Sequence, residues 1–304
     1  MIPLVYHASY SKLALPIHHR FPTTKYAHLY QYLLDNQLAT PTQFHTPTPM
    51  TAEEIMQVHH RDYVEQFIDG TLATSALRRI GFPWSEALVE RTLHSLAGTS
   101  LTAALALQTG IALHLTGGYH HAHYEFGSGY CIFNDLIIAA RKLIIEQQLH
   151  KILIFDCDVH QGDGTATLSQ LHQGIISCSI HCKDNFPSRK QHSHYDIELV
   201  KGTDDSAYLD TVEQTLELLI RLHQPDLILY DAGVDIHQDD DLGHLQISQQ
   251  GLYQRDVTVL SMARAANIPV AAVIGGGYSR DALQLSQRHS QLFIAANHLW
   301  LQTQ

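Results

Sequence analysis

The chain has 304 residues and a mass of 34.1 kDa, a length at which α/β proteins often form one domain. Hydrophobic residues make up 45% and charged residues 16%, a composition that excludes disorder for most of the chain. The 30 acidic residues outnumber the 19 basic ones, and the net charge of −11 argues against nucleic-acid binding through overall charge and favours small or basic substrates.

Two long helices are predicted in the first third of the chain. Thr51 and Glu54 have the spacing of a capping box, so a helix should begin after Thr51 and run towards Asp69, with Gly70 ending it. A second helix is predicted over residues 85–107, where apolar residues recur at helical spacing.

Short apolar runs typical of buried parallel strands follow, and helical patterns separate most of them. The predicted strands are 111–115, 152–155, 175–180, 227–230 and 270–274. The predicted helices are 135–147, 206–223, 248–266 and 281–297. This alternation predicts an α/β fold, a single-domain open parallel sheet with helices on both faces that spans residues 1–304. Segments 36–50, 181–205 and 236–246 are predicted to be loops.

Polar or glycine-rich clusters follow four of the predicted strands. GGYHHAH follows the first, DCDVHQGDG the second, DAGVD the fourth and GGGYS the fifth. Open α/β sheets bind ligands beyond the carboxyl ends of their strands, so these clusters should converge in space.

Asp156, Asp158 and His160 form the centre of the predicted site. Side chains alternate along an extended segment, so these three residues should point at one spot, where two oxygens and one nitrogen suit Zn²⁺ or a similar divalent ion. Polar residues that bond to neighbouring loops are the alternative interpretation, which His160 and the following GDG make less convincing. Asp235 is the best further ligand. Its competitors are Asp231 and the residues of an acidic loop that we expect to be solvated, Asp239, Asp240 and Asp241.

His120 and His121 are adjacent at another strand end and could move protons near neutral pH. Each would need a carboxylate to set its tautomer, and Asp156 and Asp163 could serve. A surface His pair is the alternative in a chain with 23 histidines.

Tyr278 follows three glycines that allow close approach of the backbone, and its hydroxyl could donate to a developing oxyanion. The residues around these glycines do not match the pattern of a phosphate-binding loop. Tyr130 and Phe186 lie in glycine- or proline-flanked loops, where they could either pack or wall a slot for an aliphatic chain.

These clusters, in this order, resemble the histone deacetylase family of the arginase–deacetylase fold, and the resemblance covers nearly the whole chain. The matching motifs are HHA at 120–122, GxGYCxFND at 127–135, DxDxHxGDG at 156–164, Asp235 and GGGY at 275–278. HHRFPTTKY at 18–26, FPWS at 82–85 and NFPSRKQ at 185–191 are closest to the class IV type and its bacterial relatives.

The resemblance implies a role for each matching residue. Asp158, His160 and Asp235 would bind Zn²⁺, with Fe²⁺ as the alternative. The remaining implied catalytic residues are the general base His121, its orienting residue Asp163, the electrostatic pair His120 and Asp156, and the carbonyl-polarising Tyr278. The implied substrate-binding residues are Tyr130, Phe186, Gly129 and Gly276. A structural site for K⁺ or Na⁺ would lie near Asp156 and Ser179.

Two departures from the class I pattern leave this set complete and leave the substrate range open. Gln161 stands where a second His would follow His160, and GGGY stands in place of four glycines.

The resemblance thus implies a metal-dependent amidohydrolase that hydrolyses acetyl-lysine or longer acyl-lysine in proteins or peptides, with acetylated amines such as acetylpolyamines as the alternative substrate. A two-manganese ureohydrolase would need more carboxylate pairs than this chain shows, and a non-enzymatic binder would not need the complete catalytic set.

The expected compartment is the cytoplasm. The four cysteines, Cys131, Cys157, Cys178 and Cys182, form no CxxC pair and are no disulfide framework in a chain of this length, so a reducing compartment is expected. The N-terminal residues lack the pattern of a Sec-type signal, although export by a specialised system stays open. No apolar stretch reaches the roughly 18 to 20 residues that span a bilayer, so no membrane association is expected.

Overall fold

A computed structural model describes residues 1–301 and arranges eight strands in one parallel sheet. The strands are β1 (Leu4–Val5), β2 (Phe44–His45), β3 (Ile111–His114), β4 (Ile152–Asp156), β5 (Ile175–Cys182), β6 (Tyr195–Leu199), β7 (Leu227–Asp231) and β8 (Val270–Val273). Their order across the sheet is β2-β1-β3-β8-β7-β4-β5-β6, and every neighbouring pair is parallel.

Ten α-helices accompany the sheet in the described part of the chain. They are α1 (Lys25–Asp35), α2 (Ala52–Ile55), α3 (Arg61–Ile68), α4 (Thr74–Ile80), α5 (Glu86–Thr109), α6 (Asp135–Glu146), α7 (Asp163–Ser169), α8 (Asp205–His223), α9 (Gln249–Ala265) and α10 (Ala282–Leu301). Two sets pack among themselves: α1, α10, α9 and α8 form one series of neighbours, and α5, α6 and α7 form the other.

Both faces of the sheet centre are covered. Every residue of β3, β4, β5, β7 and β8 is buried, although successive side chains of a strand point to opposite faces. Burial on both faces is what the continuous apolar runs predict for a parallel sheet between helices. The predicted α/β fold with an open parallel sheet is confirmed.

The five predicted strands and most predicted helices are present within a few residues of their expected bounds. The prediction that 36–50 and 181–205 are only loops was wrong, because β2 and β6 lie there as the two edge strands and β5 extends to Cys182. Edge strands such as β6 are half-buried and carry charged residues, so they lack the apolar run that marks the central strands.

The predicted helix after Thr51 is also interrupted. Its capping box forms, but α2 ends at Ile55 and α3 begins at Arg61. His59 lies buried between them, where its Nδ1 donates to the His123 carbonyl and its Nε2 accepts from the Asn134 amide. His60 then caps α3 by accepting from the Asp62 amide. Tertiary hydrogen bonds therefore break a helix that local sequence favours.

No helix among residues 1–301 combines the length and the apolar character needed to cross a bilayer.

Candidate active site

Four neighbouring strands, β3, β8, β7 and β4, end side by side at one edge of the sheet. The segments that follow them meet there through hydrogen bonds between segments. The Gly276 amide donates to Asp158 Oδ2 at 2.8 Å, and the Val159 amide donates to Asp235 Oδ1 at 2.9 Å. The four polar clusters singled out in the sequence therefore converge, because parallel strands bring all their carboxyl ends to the same edge.

Asp158, His160 and Asp235 form a compact, buried set of potential metal donors. One donor atom from each lies within 4.8 Å of the others. His160 Nδ1 is 3.0 Å from Asp158 Oδ1 and 3.1 Å from Asp235 Oδ2. In each carboxylate, one oxygen accepts a hydrogen bond from a backbone amide of another segment, and the other oxygen faces the imidazole. Two carboxylates and one imidazole are a donor set that fits a divalent ion with an open position.

The two carboxylates determine the electrostatic character of this set. Burial and the neighbouring Asp158 carboxylate raise the pKa of Asp235 to about 7. Burial alone would lower the pKa of His160, but Asp158 and Asp235 raise it to about 10. Both shifts show that this cluster favours positive charge, which a bound cation would supply.

Asp156 does not join that donor set, contrary to the expectation that Asp156, Asp158 and His160 point at one spot. β4 ends at Asp156, and the Asp158 amide turns back to donate to Asp156 Oδ1 at 3.0 Å. Asp156 Oδ2 instead accepts from His120 Nδ1 at 2.8 Å. Asp231, which competed for the role of ligand, lies with this His120–Asp156 pair and not with His160.

His121 faces the cavity and is held by Asp163. Its Nδ1 donates to Asp163 Oδ1 at 2.6 Å, and His123 Nε2 donates to the other oxygen at 3.2 Å. These hydrogen bonds lower the pKa of Asp163 in spite of its burial. Burial and the adjacent His120 lower the pKa of His121 to about 4, so its ring is neutral at pH 7 with Nε2 free to accept a proton.

His120 has the opposite electrostatic character. Burial would lower its pKa, but Asp156 and Asp158 raise the pKa well above the usual value, so the imidazole stays positively charged. Its ring centroid lies 4.2 Å from that of His121. The two adjacent histidines therefore differ in charge because their carboxylate neighbours differ.

Tyr278 stands at the edge of the cavity, with its ring centroid 6.4 Å from that of His160. Its backbone amide donates to Asp240 Oδ2 at 2.7 Å, and Asp240 Oδ1 also accepts from the Leu242 and Gly243 amides. Burial and Asp158 raise the pKa of the Tyr278 phenol, which keeps its proton. The expectation that Asp240 is a solvated residue was wrong, because its carboxylate ties the 236–246 loop to Tyr278.

A cavity of about 410 Å³ opens from these residues to the surface. Tyr130 and Phe186 both line it, together with His121, His160 and Tyr278. The Phe186 ring stands edge-on to His121 at a centroid distance of 4.8 Å and remains 45% exposed. The walls are thus aromatic near the opening and polar at the base.

Two glycines allow the backbone to lie against the polar groups. Gly129 has φ +52°, and a Cβ there would come within 2.6 Å of the His121 ring. A Cβ on Gly276 would meet Asp235 Oδ2 at 2.1 Å and Asp158 Oδ2 at 2.4 Å. Side chains at either position would displace the groups that define the site.

The structure gives less support to the predicted monovalent-cation site than to the divalent one. Ser179 pairs with Asp156 across β4 and β5, so the two residues are neighbours. The Ser179 hydroxyl is already hydrogen-bonded to His181 Nδ1 at 3.0 Å. The site stays a prediction.

Sequence reasoning missed three cationic residues around the site. The Lys25 ammonium is buried and donates to the carbonyls of Gly275 and Gly277 at 3.1 and 3.4 Å, which steadies the glycine run before Tyr278. Arg78 and Arg79 line the 410 Å³ cavity at its opening. Lys25 belongs to the HHRFPTTKY segment and could have been flagged there, whereas nothing local marks the two arginines.

Comparisons with known proteins agree on one family. The profile of the family described as "Histone deacetylase domain" matches residues 19–292. An uncharacterized protein of Picosynechococcus is 46% identical over 298 residues, which cover 98% of this chain and 99% of that protein. The acetoin utilization protein AcuC of Staphylococcus aureus is 31% identical over 82% of this chain and 70% of its own length. Histone deacetylase 2 of Arabidopsis thaliana is 26% identical over 93% of this chain and 76% of its own length.

A solved structure gives the same picture of the fold. The crystal structure of a histone deacetylase homologue from Aquifex aeolicus superposes with a TM-score of 0.80 at 20% identity, over 97% of this chain and 84% of that one.

Proposed function

The chain belongs to the histone deacetylase family of amidohydrolases, and from that membership and the geometry of its site we propose that it removes acetyl or longer acyl groups from lysine side chains of proteins. We further propose that residues 1–304 act as one catalytic domain. The observation that carries the proposal is that a neutral His121 and a protonated Tyr278 line the same cavity as His160, which belongs to the buried Asp–His–Asp donor set.

The proposed reaction needs a metal ion, and we propose that it is Zn²⁺, held by Asp158, His160 and Asp235. Fe²⁺ accepts the same oxygen and nitrogen donors and is the alternative. Bound there, such an ion would lower the pKa of an adjacent water and polarise a substrate carbonyl.

His121 supplies the proton transfers in the proposed reaction. Its Nε2 takes a proton from the attacking water, and the same nitrogen later delivers it to the departing lysine amine. Asp163 fixes the required tautomer by accepting from Nδ1. The positive His120 lies next to the reacting groups and stabilises the negative charge that develops there.

Tyr278 stabilises the oxyanion. Its phenol is protonated at neutral pH and can donate a hydrogen bond to the substrate oxygen when the carbonyl carbon becomes tetrahedral. Asp240 and Lys25 both bind the peptide group that joins Gly277 to this residue, so the donor is positioned before the substrate arrives.

Tyr130 and Phe186 would flank the aliphatic part of the acyl-lysine chain, with Gly129 and Gly276 giving it room. Hydrolysis of acetylated small amines is the second candidate, because the staphylococcal relative is named for the utilization of a small molecule and not for a protein substrate. A panel of acetyl-lysine, myristoyl-lysine and other acyl-lysine peptides beside acetylpolyamines separates the two, with metal analysis of the same sample. We expect the protein to hydrolyse the acyl-lysine peptides, and we expect a hydroxamate to inhibit this hydrolysis. Turnover of acetylpolyamines alone would contradict the proposed substrate.

A further inference from the structure

We propose that Arg78 and Arg79 select acyl-lysine peptides that carry acidic residues beside the modified lysine. This inference rests on the proposed function and adds a substrate preference to it.

The two arginines occupy a fixed position at the opening of the cavity. They lie in the last turn of α4, which is capped by Gly81 with φ +93°. The adjoining turn is fastened to the cavity wall, because the Tyr130 amide donates to the Ile80 carbonyl at 2.8 Å. Both arginines are exposed and line the same cavity as His121 and Tyr278.

Neither guanidinium is neutralised within residues 1–301. No carboxylate oxygen lies within 4.0 Å of either one, whereas Arg61 pairs with Glu65 at 3.1 Å and the buried Arg255 pairs with Asp256 at 2.9 Å. The Arg79 guanidinium instead packs over the Phe126 ring, 4.7 Å from its centroid. This contact restrains the side chain and leaves its charge available.

One further cation lies near the rim. The Lys190 ammonium donates to the carbonyls of Asn185 and Pro187, at 2.6 and 2.7 Å, and so lies beside Phe186. Leu242 lines another part of the wall. Among the described residues that line this cavity, none is acidic.

A positive rim in a chain of net charge −11 distinguishes between substrates. The aromatic walls suit the uncharged acyl-lysine side chain, and its peptide backbone would remain at the opening, where flanking residues meet the rim. Carboxylates at those flanking positions gain attraction, and additional ammonium groups are repelled. The rim therefore favours acidic peptides and disfavours polyamines.

The test uses three acetyl-lysine peptides of equal length whose flanking residues are acidic, neutral or basic, and free Nε-acetyl-lysine as a fourth substrate. kcat/KM is measured for the zinc-loaded wild type, Arg78→Gln, Arg79→Gln, the double variant, and Arg221→Gln. Arg221 is an exposed arginine in the last turn of α8 and does not line the cavity, so it controls for the loss of one positive charge.

We expect the wild type to prefer the acidic over the basic peptide by about tenfold at low salt, with each arginine contributing roughly threefold, mainly through KM. The preference should shrink in about 0.5 M salt, because salt at that concentration strongly screens the charges of the two arginines. It should nearly vanish in the double variant. Because the ratio is taken within each variant, a loss common to all peptides cancels. Arg221→Gln should keep the full preference.

Two results would overturn the inference and leave the proposed function intact. In the first, the wild type hydrolyses the neutral peptide but does not distinguish acidic from basic flanking residues. In the second, the double variant keeps the preference for acidic flanking residues. If free Nε-acetyl-lysine were the best substrate and lost its advantage in the double variant, the arginines would serve a free amino acid instead, which also overturns the inference. If no peptide were hydrolysed, the proposed function itself would fail, and this inference with it.

Discussion

Tyr278 is the residue whose loss should separate chemistry from metal binding. Its hydroxyl is the proposed oxyanion donor, and its side chain supplies none of the Asp158, His160 and Asp235 donor atoms. We predict that Tyr278→Phe lowers kcat by about 10²–10³-fold and leaves the metal content unchanged. Steady-state kinetics and metal analysis of one preparation provide the check. Tyr253→Phe is the matched control, since that hydroxyl bonds His298 away from the cavity. Full activity in Tyr278→Phe would remove this residue from the mechanism.

Asp163 acts through His121 and is therefore a positioning residue. Asp163→Asn keeps the shape of the side chain but removes the charge that accepts from His121 and His123. We expect kcat to fall by about 10²–10⁴-fold, the usual contribution of a positioned acid or base, with KM little changed. A pH profile of kcat should also change its shape, because the tautomer and the pKa of His121 depend on this carboxylate. An unaltered profile would contradict the assignment.

The sequence predicts the identities of the polar residues better than their groupings. Strand alternation placed Asp156 with Asp158 and His160, but β4 stops at Asp156 and the chain turns immediately. Asp240 could not be told from its acidic neighbours, because its role depends on three backbone amides that only the folded loops bring together. Local pattern carries no information on such contacts.

The turn at Gly129 offers a test at the level of an element. It precedes Tyr130, which itself has φ +67°, and it places the backbone against the His121 ring. Gly202 has φ +82° and nothing within 4 Å of the position of a Cβ, so it reproduces the backbone strain without the steric contact. We predict that Gly202→Ala costs about 1 kcal/mol in the free energy of unfolding, that Gly129→Ala costs more because the steric contact adds to the same strain, and that only Gly129→Ala loses activity.

Urea unfolding and turnover of both variants check this prediction. Equal activity in the two variants would mean that the approach of Gly129 to His121 is not needed for catalysis.

Elements with a continuous apolar run were predictable, and short or exposed ones were not. The central strands are buried on both faces and were found from hydrophobicity alone. β1 and β2 have two residues each, too few for any periodicity to be recognised. The break between α2 and α3 depends on the partners of His59, which lie 64 and 75 residues further along the chain.

Buried histidines should make the stability of the whole molecule sensitive to acid. Burial lowers the pKa of His59 from 6.5 to about 4 and that of His114 to about 3. Between pH 6.5 and these lowered pKa values, the two histidines are protonated in the unfolded chain but not in the folded chain. The free energy of unfolding therefore falls as the pH falls. Each histidine contributes a slope of up to about 1.4 kcal/mol per pH unit, and its full contribution to stability is present above pH 6.5.

His59→Gln isolates one of these contributions. We expect the variant to be less stable than the wild type at pH 7, because two buried hydrogen bonds are altered, and the difference to shrink as the pH falls from 6.5 to 4. Chemical denaturation at several pH values measures it. A difference that stays constant across this range would show that His59 does not resist protonation.

The convergence of the site was predictable at the scale of the whole molecule, because it follows from the parallel sheet and not from any single contact. Once the strands were recognised, the rule that their carboxyl ends share one edge placed HHA, DxDxH, Asp235 and GGGY together. The positive rim formed by Arg78 and Arg79 was not predictable, since α4 reaches the opening only through the tertiary packing of its last turn on Tyr130.

The proposed chemistry depends on one divalent ion held jointly by Asp158, His160 and Asp235. Anomalous diffraction at the zinc absorption edge, from a crystal grown with zinc, tests this most directly. We predict one strong peak within coordinating distance of Asp158, His160 and Asp235. A zinc-replete crystal with no peak between them, or with its peak at the His120, Asp156 and Asp231 cluster instead, would contradict the account.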